Sequence, residues 1–269
     1  MKFVLQIILS IVASIVISIL ITTILNRLSK NKLKRSFNIN FTIALTIILL
    51  VIDILFDFAN YNKANSLAKD YLNSTNEVKV VKTDFGYQFD GSGSDDAIIF
   101  YPGAKVECEA YAPLLFNLAK DGIDTFLIDM PFNYPFFGIN KASSVLDNYN
   151  YNNYYMMGHS LGGVMASTFL LKNESQFDGI IFLASYSTKK LPDNIKVLSI
   201  YGTDDGCLNI NEYEKNKTNF PPSYKEIIIK GGNHSQFGSY GTQADDNDAK
   251  ISFEDQQQIT IDNIKFLLN

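Results

Sequence analysis

Apolar residues in the C-terminal two thirds of the chain fall into short runs that alternate with stretches of helical periodicity. Short apolar runs bounded by turn residues are typical of buried strands, and apolar positions repeating with the helical period are typical of helices. The strand candidates are 78–81, 87–89, 97–101, 125–128, 154–157, 179–183, 196–201 and 225–229. The helix candidates are 110–120, 141–149, 161–171, 210–217 and 253–268. This alternation predicts an α/β fold, a mostly parallel eight-stranded sheet with helices on both faces.

The N-terminal part has a different pattern, with two long apolar runs. Residues 3–25 contain no charged residue, and residues 39–55 contain only Asp53. About 20 helical residues cross the ~30 Å hydrocarbon layer of a bilayer, so both runs are long enough to span it. The first run exceeds the usual apolar core of a cleavable signal peptide and lacks a convincing small-residue cleavage site. We therefore predict a two-helix transmembrane hairpin over 1–59, with helices at about 3–25 and 39–58.

The hairpin carries further signals of packing and orientation. Ser10, Ser14 and Ser18 recur at every fourth position, as do Thr42 and Thr46, and small residues in this pattern favour close helix packing. They are also simply tolerated in such helices.

The predicted loop 26–36 is basic, with Arg27, Lys30, Lys32, Lys34 and Arg35. Basic residues in short loops stay cytoplasmic, so the C-terminal domain should lie outside the cytoplasm. Residues 60–76 are polar and predict a linker, followed by one domain over 77–269.

A sharp strand-to-helix turn stands out at Gly158-His159-Ser160-Leu161-Gly162. A strand candidate precedes it and a helix candidate follows it. This G-x-S-x-G pattern is that of the nucleophile elbow, in which a strained turn exposes the serine hydroxyl. A glycine-rich turn between two core elements is the simpler alternative. The chain has two histidines, and His159 is already within this turn, so His234 is the remaining candidate for a general base.

Three further loops follow the carboxyl ends of strand candidates, where ligands bind in such sheets. Pro102-Gly103-Ala104 can aim a backbone N–H at an oxyanion, with Leu161 N–H as its partner. Residues 202–206 offer Asp204 and Asp205 as carboxylates, and residues 231–234 deliver His234. Each loop can also be an ordinary turn, but the order Ser, Asp, His is the one used by α/β-hydrolases.

The chain resembles the α/β-hydrolase superfamily and, within it, the bacterial alpha/beta hydrolase family 5 in a membrane-anchored form. The resemblance runs from about residue 98 to the C-terminus. The blocks that carry it are 101–107 (YPGAKVE), 111–114 (YAPL), 130–133 (MPFN), the 158–163 turn and 231–238 (GGNHSQFG).

The resemblance implies that Ser160 is the nucleophile, His234 the base and Asp205 the acid, with Asp204 as an alternative acid. It implies no cofactor. The family usually has glycine where this chain has Ala104, so the oxyanion loop should be more crowded.

Composition excludes some partners. The formal net charge of −5 leaves no basic surface for nucleic acid. Asp245, Asp246 and Asp248 faintly resemble a calcium loop but lack its first ligand and its glycine, so we interpret them as a solvated acidic loop without metal. In the family's strand order, Cys108 and Cys207 follow strands about 14 Å apart, beyond the ~7 Å reach of a disulfide, which predicts two free thiols.

Substrate signals are weak. The short connection between the strands ending at 183 and starting at 196 leaves no room for a large cap domain, so the site should be open. Phe132, Tyr134, Phe136 and Phe137 can line an acyl pocket, pack in the core or touch a bilayer. We predict a membrane-anchored serine hydrolase acting on small or lipid-derived carboxylic esters through an acyl-enzyme. The alternatives are a catalytically silent binding or scaffold module, and an acyltransferase or peptidase with the same triad.

Overall fold

The computed structural model describes residues 2–29, 34–93 and 95–268. The chain divides into two compact units, Met1–Asn60 and Tyr61–Asn269. The first boundary lies within one residue of the predicted end of the hairpin. The second unit starts well before the predicted position 77.

The first unit is a pair of helices, α1 (Lys2–Leu28) and α2 (Arg35–Ala59). Both are longer than predicted, because the helices continue into the polar residues that flank each apolar run. The stretches Ile8–Leu28 and Ser36–Ala59 are long and apolar enough to cross a membrane. Residues 30–33 of the predicted basic loop, with Lys30 and Lys32, lie outside the described residues.

Small and hydroxylated residues line the contact between α1 and α2. Ser14, Ser18 and Thr22 are at most 6% exposed, whereas the apolar residues around them are largely exposed. The Thr42 hydroxyl donates to Thr22 Oγ1 at 2.9 Å. Two antiparallel helices thus approach through their small faces, as the four-residue spacing predicts, and direct their bulky apolar side chains outward.

Residues 61–76 do not form the predicted free linker. Asn65 caps a short helix, α3 (Ser66–Asp70), by accepting from Ala68 N–H at 3.0 Å, and Ala64 and Ala68 are buried. Asn62 N–H donates to Lys105 O at 2.7 Å. The segment is polar on its outer side and packs on the rest of the second unit through its alanines and its backbone. Its helix is too short to show a helical repeat of apolar residues in the sequence.

The second unit is built on one eight-stranded sheet. Its strands are β1 (Lys79–Thr83), β2 (Gly86–Asp90), β3 (Asp96–Tyr101), β4 (Asp124–Ile128), β5 (Asn153–His159), β6 (Gly179–Leu183), β7 (Lys196–Gly202) and β8 (Lys225–Ile229). Their order is β1-β2-β4-β3-β5-β6-β7-β8, and only the β1–β2 and β2–β4 pairs are antiparallel. This confirms the predicted mostly parallel sheet.

Helices cover the sheet. They are α4 (Ala112–Lys120), α5 (Ser143–Asn148), α6 (Leu161–Leu170), α7 (Ile210–Asn216) and α8 (Phe253–Leu268). The central strands are buried throughout, as in β6, whose five residues are all buried, because helices pack on both faces. Residues 184–195, between β6 and β7, contain neither helix nor strand, so no cap domain is inserted there. The carboxyl ends of β3, β5, β7 and β8 therefore share one open edge.

Candidate active site

Ser160 occupies the turn between β5 and α6 in a strained conformation. Its φ is 51° and its ψ is −127°, a region that costs a non-glycine residue about 1–3 kcal/mol. The surroundings hold it there: Ser160 N–H donates to Leu183 O at 2.9 Å, and Ser185 Oγ donates to Ser160 O at 2.6 Å. The backbone of the serine is thus tied to β6, and its side chain remains only partly buried.

The glycines on either side of Ser160 are required by close backbone approach. A Cβ at Gly158 would lie 2.6 Å from Gly162 C, inside the start of α6. A Cβ at Gly162 would lie 2.2 Å from Tyr101 O and 2.3 Å from Pro102 O, at the end of β3. The second contact also shows that the loop after β3 lies directly against the first turn of α6.

His234 and Asp205 form a buried pair at the ends of β8 and β7. His234 Nδ1 lies 2.8 Å from Asp205 Oδ2, and both side chains are 2% exposed. The other carboxylate oxygen accepts from Cys207 N–H at 2.9 Å and Leu208 N–H at 2.7 Å. These donors orient the carboxylate, which therefore directs its second oxygen at the imidazole.

Asp204 is directed elsewhere. Its carboxylate lies 2.5 Å from Lys250 Nζ and also accepts from the Thr203 hydroxyl at 3.0 Å. These hydrogen bonds, first the one from Lys250, lower the pKa of Asp204. Of the two adjacent carboxylates, only Asp205 contacts His234.

The rings of the two histidines contact each other at a tilt of 48°. Their ring centroids are 4.4 Å apart, and His159 directly precedes Ser160. Among the described residues, no hydrogen bond joins the Ser160 hydroxyl to His234. Catalytic bonds of this kind are commonly loose without substrate and tighten when it binds.

Two backbone N–H groups are available near Ser160. Leu161 is the first residue of α6, and Ala104 lies in the loop after β3 that packs on the same helix turn. Within the described structure, neither the Leu161 N–H nor the Ala104 N–H donates a hydrogen bond. The first N–H groups of a helix have no partner in the helix itself and suit a developing negative charge.

A buried tyrosine links the Ala104 loop to the elbow. Tyr111 Oη accepts from Gly103 N–H at 3.1 Å and lies 2.8 Å from His159 Nδ1. Burial raises the pKa of Tyr111 and lowers that of His159, so both are neutral. The Tyr111 side chain therefore connects the loop after β3 to the residue that precedes Ser160.

Comparisons with known proteins agree with the fold. A family model described as the alpha/beta hydrolase family matches residues 97–258, more than half of the chain. The chain belongs to the alpha/beta hydrolase family. Comparison with curated proteins finds no significant match.

Solved structures share the fold of this alpha/beta hydrolase. A predicted CIB-like hydrolase from Thermoplasma acidophilum matches with a TM-score of 0.52 and 19% identity, over 71% of this chain and 100% of that chain. A novel esterase from Mycobacterium tuberculosis matches with a TM-score of 0.53 and 11% identity, over 76% and 96%. Est1E from Butyrivibrio proteoclasticus matches with a TM-score of 0.51 and 13% identity, over 71% and 99%.

Asp246 and Gln256 were not identified as site residues from the sequence of this hydrolase. Asp246, interpreted above as part of a solvated loop, accepts from Gly206 N–H at 3.0 Å and Ser235 N–H at 2.8 Å. It therefore joins the loop of Asp205 to the loop of His234. The buried Gln256 amide accepts from Asn233 N–H and donates to Asn233 O. Both residues are far in sequence from at least one loop that they bind, so no motif in the sequence predicts these contacts.

The donor atoms of Asp205, Cys207 and His234 lie within 4.8 Å of one another, close enough to hold a metal ion. The chemistry of the set does not fit one. Burial raises the pKa of Cys207 to about 12, and a metal needs the thiolate. The Asp205 and His234 donors are already bonded to each other. Both cysteines are free thiols, as predicted.

A cavity of about 540 Å³ is lined in part by Asn233 and Ser235, the two residues that flank His234 in sequence. Its walls do not include Ser160, Leu161 or Ala104. The reacting group would therefore bind on the open edge of the hydrolase sheet instead of in this cavity.

Proposed function

We propose that this protein is a membrane-anchored serine hydrolase that cleaves carboxylic esters with Ser160, His234 and Asp205. The observation that carries the proposal is the buried 2.8 Å contact between His234 Nδ1 and Asp205 Oδ2, beside a serine held at φ 51°. A strained, partly exposed serine next to a carboxylate-oriented imidazole is the arrangement that activates a hydroxyl nucleophile.

In the first step Ser160 Oγ attacks the ester carbonyl carbon while His234 Nε2 takes the hydroxyl proton. Asp205 stabilises the imidazolium that forms, because its oxygen faces Nδ1. The negative charge on the carbonyl oxygen is stabilised by the N–H groups of Leu161 and Ala104. His234 then gives its proton to the departing alkoxide, which leaves an acyl-enzyme and an alcohol.

Water completes the cycle. His234 takes a proton from water as the water oxygen attacks the acyl carbon, and it returns the proton to Ser160 as the acid leaves. The chain supplies every group that this sequence of steps uses, and no cofactor takes part.

The test is labelling by a fluorophosphonate together with turnover of p-nitrophenyl acetate. Ser160→Ala should abolish both and leave the fold intact, because a partly exposed hydroxyl contributes little packing. Ser144→Ala, at an exposed serine of α5, is the matched control and should keep both. Turnover that persists in a folded Ser160→Ala protein would remove the proposal, and an unlabelled, inactive wild type would favour a catalytically silent module.

Hydrolysis is distinguished from acyl transfer and peptide cleavage by product analysis. Incubation in ¹⁸O water should place the label in the released acid, because water attacks the acyl carbon. Acid without label, or an acyl group recovered on an added alcohol or amine at low acceptor concentration, would assign transfer instead.

The membrane part of the proposal rests on α1 and α2, which are long and apolar enough to cross a bilayer. The five basic residues of the predicted segment 26–36 would hold that segment in the cytoplasm. The hydrolase unit would then lie on the outer side. An impermeant maleimide applied to intact cells should label Ser66→Cys but not Ser29→Cys, in a Cys207→Ala background. The reverse pattern would place the hydrolase unit in the cytoplasm.

A further inference from the structure

Three phenylalanines are exposed beside the candidate active site. Phe132, Phe136 and Phe137 follow β4 and are 59%, 41% and 50% exposed. We call these three residues the aromatic ridge. Tyr134 lies between them in sequence, is 5% exposed, and contacts Phe136 with ring centroids 5.3 Å apart. The ridge is therefore anchored by a buried tyrosine and built from rings that touch each other, with Phe136 and Phe137 at 4.2 Å.

The ridge is attached to both sides of the proposed oxyanion site. Asn133 O accepts from Lys105 N–H at 2.7 Å, and Lys105 directly follows Ala104. The turn Pro135–Phe137 lies alongside α6, the helix that begins at Leu161. An ester bound at Ser160 would thus have the ridge as a close neighbour.

The backbone of the ridge is held in an unfavourable conformation. Phe132 has φ 56° and Asn133 has φ 58°, in the left-handed region that bulky side chains avoid. The left-handed backbone opposes stability at Phe132. Strain of this kind clusters at functional sites.

The adjoining face of α6 is also apolar. Leu161, Val164 and Met165 are half-buried, whereas the residues on the other faces of the helix are buried. Positions three and four apart lie on one side of a helix, so these three side chains form a continuous apolar strip that starts next to Ser160. The strip and the ridge adjoin, because the turn Pro135–Phe137 lies against this helix.

We propose that the aromatic ridge and this strip of α6 form a subsite for the acyl chain of the ester, so that the enzyme prefers medium and long acyl chains over acetyl. The inference rests on the proposed function. A chain attached to the carbonyl at Ser160 meets apolar side chains along α6 and aromatic rings at the side, and it removes both from water. The occupant is a flexible hydrocarbon chain, because the described side chains of the ridge and the strip are apolar.

The test uses the full chain in lipid nanodiscs with p-nitrophenyl acetate and p-nitrophenyl octanoate, both kept monomeric. The Phe136→Ser/Phe137→Ser protein should show an octanoate-to-acetate ratio of kcat/KM about tenfold below that of the wild type, equal to about 1.4 kcal/mol of lost chain contact. Phe266→Ser, at a phenylalanine 70% exposed on α8, is the matched control and should keep the wild-type ratio.

Three outcomes would overturn the inference. The first is an unchanged octanoate-to-acetate ratio in the ridge variant, and the second is an equal loss of kcat/KM on both esters. The third is a loss of kcat/KM seen only for octanoyl esters embedded in vesicles, which would assign the ridge to bilayer contact. Ser160-dependent hydrolysis of acetate would persist in each of these cases and keep the proposed function. A wild type with no Ser160-dependent turnover of either ester would overturn the proposed function itself.

Discussion

Replacing Asp205 by asparagine exchanges one carboxylate oxygen for an NH₂ group in a fully buried pair. Asp205 Oδ1 already accepts two backbone N–H groups, from Cys207 and Leu208. The amide oxygen of asparagine will keep these bonds, which places its NH₂ group against His234 Nδ1. Nδ1 must then act as an acceptor, so the imidazole proton moves to Nε2, where the base needs a lone pair.

The loss can be worked out from the contacts. To restore the active tautomer, the amide must flip and leave two buried N–H groups facing its NH₂ group. Each unsatisfied buried group costs about 1–3 kcal/mol, so the active form lies about 2–6 kcal/mol higher. At 1.36 kcal/mol per tenfold in rate, kcat should fall by roughly 30-fold to 10⁴-fold. Steady-state hydrolysis of p-nitrophenyl acetate near pH 7.5 measures this directly.

Asp204→Asn is the matched control. Asp204 pairs with Lys250, whose side chain is 74% exposed, so solvent and salt screen the interaction. We expect kcat to change less than threefold. A larger loss at Asp204 than at Asp205, or a loss at Asp205 below tenfold, would refute the assignment of the acid.

Three other predictions concern the frame of the site. Tyr111→Phe leaves Gly103 N–H and His159 Nδ1 without their partner, so kcat should fall about tenfold while KM stays within twofold of the wild type. An unchanged kcat would show that the loop after β3 does not need this hydrogen bond. Gly162→Ala forces a Cβ to 2.2 Å from a backbone oxygen, so the midpoint of thermal unfolding should drop by about 5–10 °C. A midpoint equal to that of the wild type would mean that the backbone relaxes to relieve the contact. Burial holds the pKa of His159 well below 6.5, so below pH 6.5 only the unfolded chain binds that proton. The free energy of unfolding should therefore decrease as the pH is lowered below 6.5, by up to ~1.4 kcal/mol per pH unit. This pH dependence should be missing in His159→Asn.

The sheet could be predicted from the sequence because its strands are buried on both faces. The predicted runs 179–183 and 225–229 coincide with β6 and β8, and the other strands differ by one or two residues at their ends. A continuous apolar run between turn residues leaves little ambiguity in such strands. The fold of residues 61–76 could not be predicted, since its five-residue helix owes its place to tertiary contacts.

The site was only partly predictable. The Ser160 turn carries a local pattern, and a chain with two histidines leaves few choices for the base. Adjacent carboxylates are alike in sequence, however, and the choice between Asp204 and Asp205 depends on Lys250, which is 46 positions from Asp204. The exposure of the aromatic ridge likewise depends on the path of its loop after β4. The sequence alone does not show whether an apolar side chain faces the core or solvent.

The packing of residues 61–76 has a consequence for biosynthesis. Asn65 N–H donates to Ser239 O at 3.0 Å, and Ser239 Oγ donates to Asn65 Oδ1 at 2.9 Å, across 174 positions. At about 5–20 residues per second, the ribosome needs about 9–35 s to synthesise that intervening chain. The first segment of the hydrolase unit must therefore wait, without its partner, until Ser239 has been added to the chain. In the later part of this interval the Ser160 turn has been translated but the loop that carries His234 has not, so the nascent chain has the proposed nucleophile without its proposed base.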